Sequence, residues 1–333
     1  MAEVYAIKVD GLTKKFNDFT AVDNISFSVK TGELFGLLGP NGAGKTTTIN
    51  ILATLLKPTI CNAEVAGHNI CSDKEGVRRD IGIVFQEPAL DIKLTGRENL
   101  DFHSMMYGLG KRERGERIEE VLNLIELTDK ADVLVENYSG GMKRRLEIAR
   151  GLIQKPKVLF LDEPTLGLDA QTRRHIWEYL RKLNRDENVT IILTTHYMGE
   201  ADYLCDRTAI IDYGKIIALD TPANLKDLLG GDVVSIEVDG DMDALTNYLK
   251  SMEWIKTVKK HDSNLSLTME HGEKRIPELI NIAQKNNATV TSVNLHKPSL
   301  EDVFIYFTGK SIRSADASQQ EKNRDRMRTH GGH

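Results

Sequence analysis

The stretch GPNGAGKTT, Gly39 to Thr47, decides the fold. Gly39, Gly44, Lys45 and Thr46 stand at the spacing G-x-x-x-x-G-K-[ST], after the apolar run Leu34 to Leu38 and before a helix-like TTTINILATLL. Glycines let a backbone curl until successive N–H groups face one anion, and the N-terminus of the next helix adds its positive end. Gly39, Pro40, Asn41, Gly42, Ala43, Gly44, Lys45, Thr46 and Thr47 therefore read as a phosphate cradle. Lys45 is expected to bridge β and γ phosphates, and Thr46 to set its hydroxyl on Mg²⁺. The bland alternative, a glycine-rich turn capping a helix, is disfavoured by the strand before it and the helix after.

Working outward, Leu34 to Leu38 is nearly all apolar, as befits a strand covered on both faces in a parallel sheet. Similar runs occur at Ile81 to Phe85, Val158 to Leu161, Val189 to Thr194 and Thr208 to Ile211. Strands are also expected at Val4 to Val9 and Ile25 to Val29. Strands alternating with helical stretches predict an α/β fold of the phosphate-loop NTPase type. From Pro88 to Gly151 the pattern turns wholly helical, which predicts a helical subdomain over 88–151. Its charge run KRERGERIEE reads as a solvated face.

The composition resets after Pro222, where residues 1–225 end as one domain. Residues 230–310 read as β-α-β-β-α-β, the order of a small ferredoxin-like α+β domain. Residues 311–333 are polar, with almost no large apolar side chain, and are expected to be a disordered tail.

A hard cation such as Mg²⁺ needs carboxylate partners. VLFLDEP supplies them: Asp162 closes an apolar strand and is assigned to the metal, and Glu163 follows as general base for an attacking water.

The balance of 44 basic and 49 acidic residues in a chain of 333 gives a net charge of −5, so no global positive field invites a nucleic acid. Cys61, Cys71 and Cys205 are odd in number and lack C-x-x-C spacing, which predicts three free structural thiols in a reducing compartment. Nowhere does the sequence approach the roughly 18 apolar residues of a membrane span.

YSGGM, Tyr138 to Met142, followed by KRRLEIARGL, resembles the LSGGQ signature of the ATP-binding subunits of ABC transporters, and the likeness covers roughly residues 3–225. Ser139, Gly140 and Gly141 would make a second anion cradle at a helix N-terminus. The resemblance implies that they close over ATP held by another subunit, in a homodimer or a heterodimer with a similar ATPase. It further implies that Gln86 senses metal and attacking water, that His196 in TTHYM contacts the γ-phosphate, that Asp169 belongs to the D-loop, and that Phe16 stacks on adenine. A core aromatic is the alternative for Phe16. Met142, Gly199, Ile60 and Cys61 depart from the family's usual residues, the last two in a turn of the antiparallel sheet.

Wording such as LTGRENLDFHSMMYGL and KPSLEDVFIYFTGK is similar to the drug-export branch, especially the daunorubicin-resistance type. That resemblance implies ATP and Mg²⁺ as cofactors, a separate integral membrane permease, a peripheral place on the cytoplasmic face of the cell membrane, and efflux of drugs or other amphiphilic compounds. A groove near Gln86 to Arg97 is expected to grip the permease's cytoplasmic helix. Two rivals remain open from sequence: a non-transport ABC ATPase acting on ribosomes or DNA, and a phosphate-loop kinase or GTPase.

Overall fold

Ile7, Val9 and Leu12 are buried while Lys8 and Asp10 are exposed, the period of a strand with one wet face. In the computed structural model, which describes residues 4–261 and 264–309, that strand is β1 (Tyr5–Phe16), paired antiparallel with β2 (Phe19–Lys30). Both outrun the expected Val4 to Val9 and Ile25 to Val29. Register shifts around Leu12 and Lys14 break the alternation that sequence reading relies on. The expected tail 311–333 lies outside the described residues.

Next come β3 (Leu34–Leu38), buried throughout, α1 (Lys45–Leu52), β4 (Ala63–Val65), β5 (His68–Asn69), α2 (Lys74–Asp80) and β6 (Ile81–Val84). The helical insertion holds α3 (Gly96–Met106), α4 (Lys111–Leu124) and α5 (Gly140–Leu152). Then follow β7 (Val158–Asp162), α6 (Ala170–Glu187), β8 (Thr190–Thr195), α7 (Met198–Leu204), β9 (Arg207–Asp212) and β10 (Lys215–Asp220).

One sheet has the order β2-β1-β4-β5, and a larger one the order β10-β9-β3-β8-β7-β6. The run β9-β3-β8-β7-β6 is parallel. Parallel pairing brings the C-terminal ends of β3, β8 and β7 side by side, so the loops after them converge, as ligand-binding loops do in open α/β sheets. Among the described residues no helix is long and apolar enough to cross a membrane.

The expectation of three free thiols is corrected. Cys61 and Cys71 form a disulfide, with Cα atoms 6.6 Å apart, and Cys205 alone is free and buried. The short hairpin of β4 and β5 sets Glu64 opposite Asn69 and Val65 opposite His68, which brings the flanking cysteines together. Spacing in sequence carries no trace of that pairing. The charge run of α4 is largely solvated, yet Arg117 is buried and donates to the carbonyls of Leu152 and Ile153 near the end of α5.

The chain divides into two units, Met1–Ile216 and Ile217–His333. The second contains α8 (Pro222–Asp227), β11 (Asp232–Gly240), α9 (Met242–Lys250), β12 (Ile255–His261), β13 (Asn264–Met269), α10 (Gly272–Lys285), β14 (Ala288–His296) and α11 (Leu300–Thr308). Its sheet order, β12-β13-β11-β14, is the ferredoxin-like arrangement the β-α-β-β-α-β reading predicts. Val234, Ile236, Leu265 and Leu267 pack with Leu245, Leu249 and Leu279 of the two covering helices. Sequence reading missed α11, which a capping box between Ser299 and Asp302 starts.

Candidate functional site

The loop between β3 and α1 is shaped by glycine. Gly44 has φ +105°, and a Cβ there would stand 2.4 Å from the carbonyl of Ala21; one on Gly39 would stand 2.2 Å from that of Ile211. Gly39 N–H donates to the Thr195 carbonyl at 3.2 Å, tying the loop to the end of β8. Lys45 is buried at 5% exposure and curls back over the loop, donating to the carbonyls of Gly39 at 2.8 Å and Pro40 at 3.1 Å. Its charge is thus fixed above the cradle by the loop's own backbone.

The two acids after β7 converge on the same place. Thr46 Oγ1 donates to Asp162 Oδ1 at 3.0 Å, and the Thr194 hydroxyl donates to that same oxygen. A hydroxyl and a carboxylate in contact at the mouth of a phosphate loop are the hard oxygen donors that suit Mg²⁺. Glu163 has φ +48°, an uncommon conformation for a residue with a side chain, and is held there by its N–H donating to Thr194 Oγ1 at 3.0 Å. This backbone twist lets adjacent acids at the strand end serve one site.

Glu163 Oε2 is paired with His196 Nδ1 at 2.8 Å. Oε1 is buried without a hydrogen bond, with Lys45 Nζ at 3.3 Å as an ion-pair contact. Burial pushes the Glu163 carboxyl up, but the His196 hydrogen bond and the Lys45 charge outweigh it and hold the carboxyl below its ordinary value. Glu163 is therefore a buried carboxylate favoured in its ionised form, with one oxygen held by His196 and the other facing Lys45 without a hydrogen bond.

The structure gathers Gly39, Lys45, Thr46, Asp162, Glu163 and His196 into one cluster. Gln86, Ser139, Gly140, Gly141, Asp169 and Phe16 are not joined to it by any hydrogen bond among the described residues. Gln86 is exposed just beyond β6 and, among the described residues, has no hydrogen bond to that cluster. Ser139 caps α5, its Oγ accepting from Met142 N–H at 3.2 Å, and with Gly140 is exposed at the helix start. Asp169 caps α6 by accepting from the N–H groups of Gln171 and Thr172. Phe16 ends β1 and is 43% exposed, with Lys14 Nζ 4.6 Å from its ring centroid, so it is no core aromatic.

Sequence reasoning missed Thr194, which serves both acids, and Glu200, which accepts from Thr165 Oγ1 at 2.7 Å and Trp177 Nε1 at 2.9 Å. It also missed Arg144 and Glu147, buried partners on α5 joined at 2.8 Å. Their signal was present: Arg144 and Glu147 fall on the helical stripe of Ile148 and Gly151, the face α5 buries.

A phosphate loop joined to a strand-end carboxylate pair and a histidine, with a separate glycine-rich helix start, defines a nucleotide-hydrolysing cassette. The pattern described as ABC transporter matches residues 22–166, and that of the DrrA1-3-like ATP-binding protein C-terminal domain matches 221–308. The chain is 40% identical over 310 residues to the linearmycin resistance ATP-binding protein LnrL of Bacillus subtilis (strain 168), covering 92% of this chain and 99% of that protein. It is 38% identical to the daunorubicin/doxorubicin resistance ATP-binding protein DrrA of Streptomyces peucetius, covering 95% and 97%. Among solved structures it is similar to cbiO1 of Clostridium perfringens, part of the transporter complex cbiONQ (29% identity, TM-score 0.63, 68% of this chain and 94% of that one). It is also similar to the dimeric post-hydrolysis state of the ATP-binding cassette MJ0796 bound to ADP and Pi (30% identity, TM-score 0.57, 65% and 98%). The chain belongs to the ABC transporter ATP-binding subunits, in the branch that carries the DrrA-like C-terminal domain. It is an ATPase.

Proposed function

We propose that this protein binds and hydrolyses ATP as the motor subunit of an exporter, with two copies closing around two ATP molecules to drive a separate membrane permease. The observation that carries this reading is the separation of two anion cradles on one chain. The loop at Gly39 to Thr47 is served by Lys45 and the carboxylates, whereas Ser139, Gly140 and Gly141 open α5 without a bond to any of them. A second cradle is explained if it faces ATP on a partner copy.

In each site the loop N–H groups and Lys45 would hold the triphosphate, Phe16 would stack on the adenine, and Thr46, Asp162 and Gln86 would hold Mg²⁺. Mg²⁺ there supplies charge neutralisation on the phosphate oxygens. Glu163 takes the proton of the attacking water through Oε1 while His196 fixes its other oxygen. Asp169 lies where the paired copies meet. Hydrolysis splits the ligand that joins them and lets them part.

The permease surface is read from the helical insertion. The segment near Gln86 to Arg97, where the permease helix is expected, is tied to α5 at Ala89, whose N–H donates to Glu147 Oε1 at 2.9 Å and whose carbonyl accepts from Arg150. A cavity of about 930 Å³ on the same unit is lined by Arg78, Arg79, Met106, Tyr107, Glu113 and Arg117, among others. Phe102, Met105 and Met106 are exposed on α3 nearby in sequence. Apolar side chains rimmed by charge suit an amphipathic cytoplasmic helix of the permease. The resistance and export functions named for the relatives point to drugs or other amphiphilic compounds as cargo.

The whole reading is tested by purifying the tagged chain from detergent-solubilised membranes of its source cells. A multispanning membrane protein should copurify, and Met106→Glu with Tyr107→Glu should release it without loss of ATP binding. Copurification with ribosomes or DNA and no membrane protein would favour the non-transport rival. Ser139→Arg is expected to block ATP-driven pairing of copies while leaving the melting temperature within a few degrees, since Ser139 is exposed. Scattering that still shows an ATP-dependent dimer would refute the shared site.

A further inference from the structure

The helix that opens with the signature also grips the catalytic strand end. Arg144, 7% exposed, uses its whole guanidinium: Nε donates to the Pro164 carbonyl at 2.7 Å, and one terminal nitrogen to the Phe85 carbonyl and Glu147 Oε2, each at 2.8 Å. The other terminal nitrogen donates to the carbonyls of Asp162 at 3.1 Å and Glu163 at 3.3 Å. Glu147, 4% exposed, closes the pair with one oxygen and accepts the Ala89 N–H with the other.

The placement has a structural logic. β6 and β7 are paired up to Val84 and Leu161, and beyond those residues the backbone ladder ends. Gln86 and Glu163 lie just past that end, and although Thr194 of β8 still holds the Glu163 N–H, no β6–β7 bond ties the two segments together there. Arg144 replaces the missing ladder, binding Phe85 on one side and Asp162, Glu163 and Pro164 on the other. The guanidinium is a planar fork of five N–H donors, a shape that can serve several carbonyls at once, and lysine has no equivalent.

We infer that Arg144, braced by Glu147, is a positioning residue that makes the aim of Glu163 and the Gln86 loop depend on the signature helix of the same subunit. The inference rests on the paired-subunit reading above. When the partner's ATP docks on Ser139 to Gly141, α5 is held from its N-terminus, and one turn further on Arg144 holds the backbone of Asp162 and Glu163. Each subunit then fires its own base best when the partner's ATP is in place, and hydrolysis is cooperative in ATP.

The test compares wild type, Arg144→Met, Arg144→Lys and Glu147→Gln as full-length chains. Affinity for a fluorescent ATP analogue, ATP-driven dimerisation in a Glu163→Gln background, and the kcat and Hill coefficient of ATP hydrolysis are measured. Affinity and dimerisation should change little, while Arg144→Met lowers kcat by about tenfold and brings the Hill coefficient toward one. Arg144→Lys should recover part of kcat. Glu147→Gln, nearly isosteric, should show the same pattern more weakly and serves if Arg144→Met fails to fold. Folded variants with unchanged kcat and cooperativity would overturn the inference alone, as would losses of affinity and kcat in equal proportion. A wild-type chain that stays monomeric with ATP would overturn the paired-subunit reading and this inference with it.

Discussion

Glu163→Gln should bind ATP normally and hydrolyse it about 10²- to 10⁴-fold more slowly, the range a positioned general base supplies. The substitution is nearly isosteric, and the triphosphate is held by the loop N–H groups and Lys45, none of which it removes. What disappears is the ionised carboxylate whose Oε1 is buried and free of hydrogen bonds beside Lys45. The contrast between intact binding and lost turnover separates a base from a structural acid. Undiminished ATPase activity in the variant would sink the assignment. In the wild type, burial pushes the carboxyl up, but His196 and Lys45 outweigh it and hold the carboxyl below its ordinary value. The base is therefore fully ionised above that value and is lost as pH falls through the lowered one. The acid limb of kcat/KM from Glu163 should accordingly lie on the acid side of the ordinary glutamate range, not near neutrality.

Lys45→Ala should remove most of the affinity for ATP. A buried, hydrogen-bonded charge facing an anion contributes about 2–5 kcal/mol, roughly 30-fold to several thousandfold in Kd. The same change strips Glu163 of a cation at 3.3 Å in a site where both are 5% exposed, so a loss of stability is expected alongside. Lys45→Met fills the volume of the missing chain, so its stability loss is limited to that of the lost cation and the variant is the better test of affinity. A fluorescent ATP analogue measures affinity, and thermal unfolding without nucleotide measures stability. Normal affinity in a folded Lys45→Met protein would contradict the cradle.

Much of this molecule is legible in its sequence because its chemistry is local. The phosphate loop needs glycines at fixed offsets, the acids must end a buried strand, and the histidine must end the next one. Each requirement leaves a contiguous trace, and Gly39, Lys45, Thr46, Asp162, Glu163 and His196 do meet. What escaped is set by contacts distant in sequence. Cys61 and Cys71 are joined because a two-strand hairpin folds between them. Arg144 and Glu147 lie on the stripe α5 buries, but their partners, the carbonyls of Phe85 and Pro164 and the Ala89 N–H, are set by parts of the chain distant in sequence. The bulges of β1 blurred a strand that the structure shows to be long. Gln86, Ser139, Asp169 and Phe16 are readable as family positions, but each is exposed in the single chain, as positions that act on ATP or across a pair of copies would be.

The central claim is that one chain carries two halves of two shared sites. It is tested most directly by sedimentation velocity of Glu163→Gln with and without ATP and Mg²⁺, alone and combined with Ser139→Arg. The account predicts a monomer without nucleotide, a dimer with it, and a monomer under both conditions once Ser139→Arg is added. A protein that stays monomeric with saturating ATP, or a dimer indifferent to both ATP and Ser139→Arg, would contradict it.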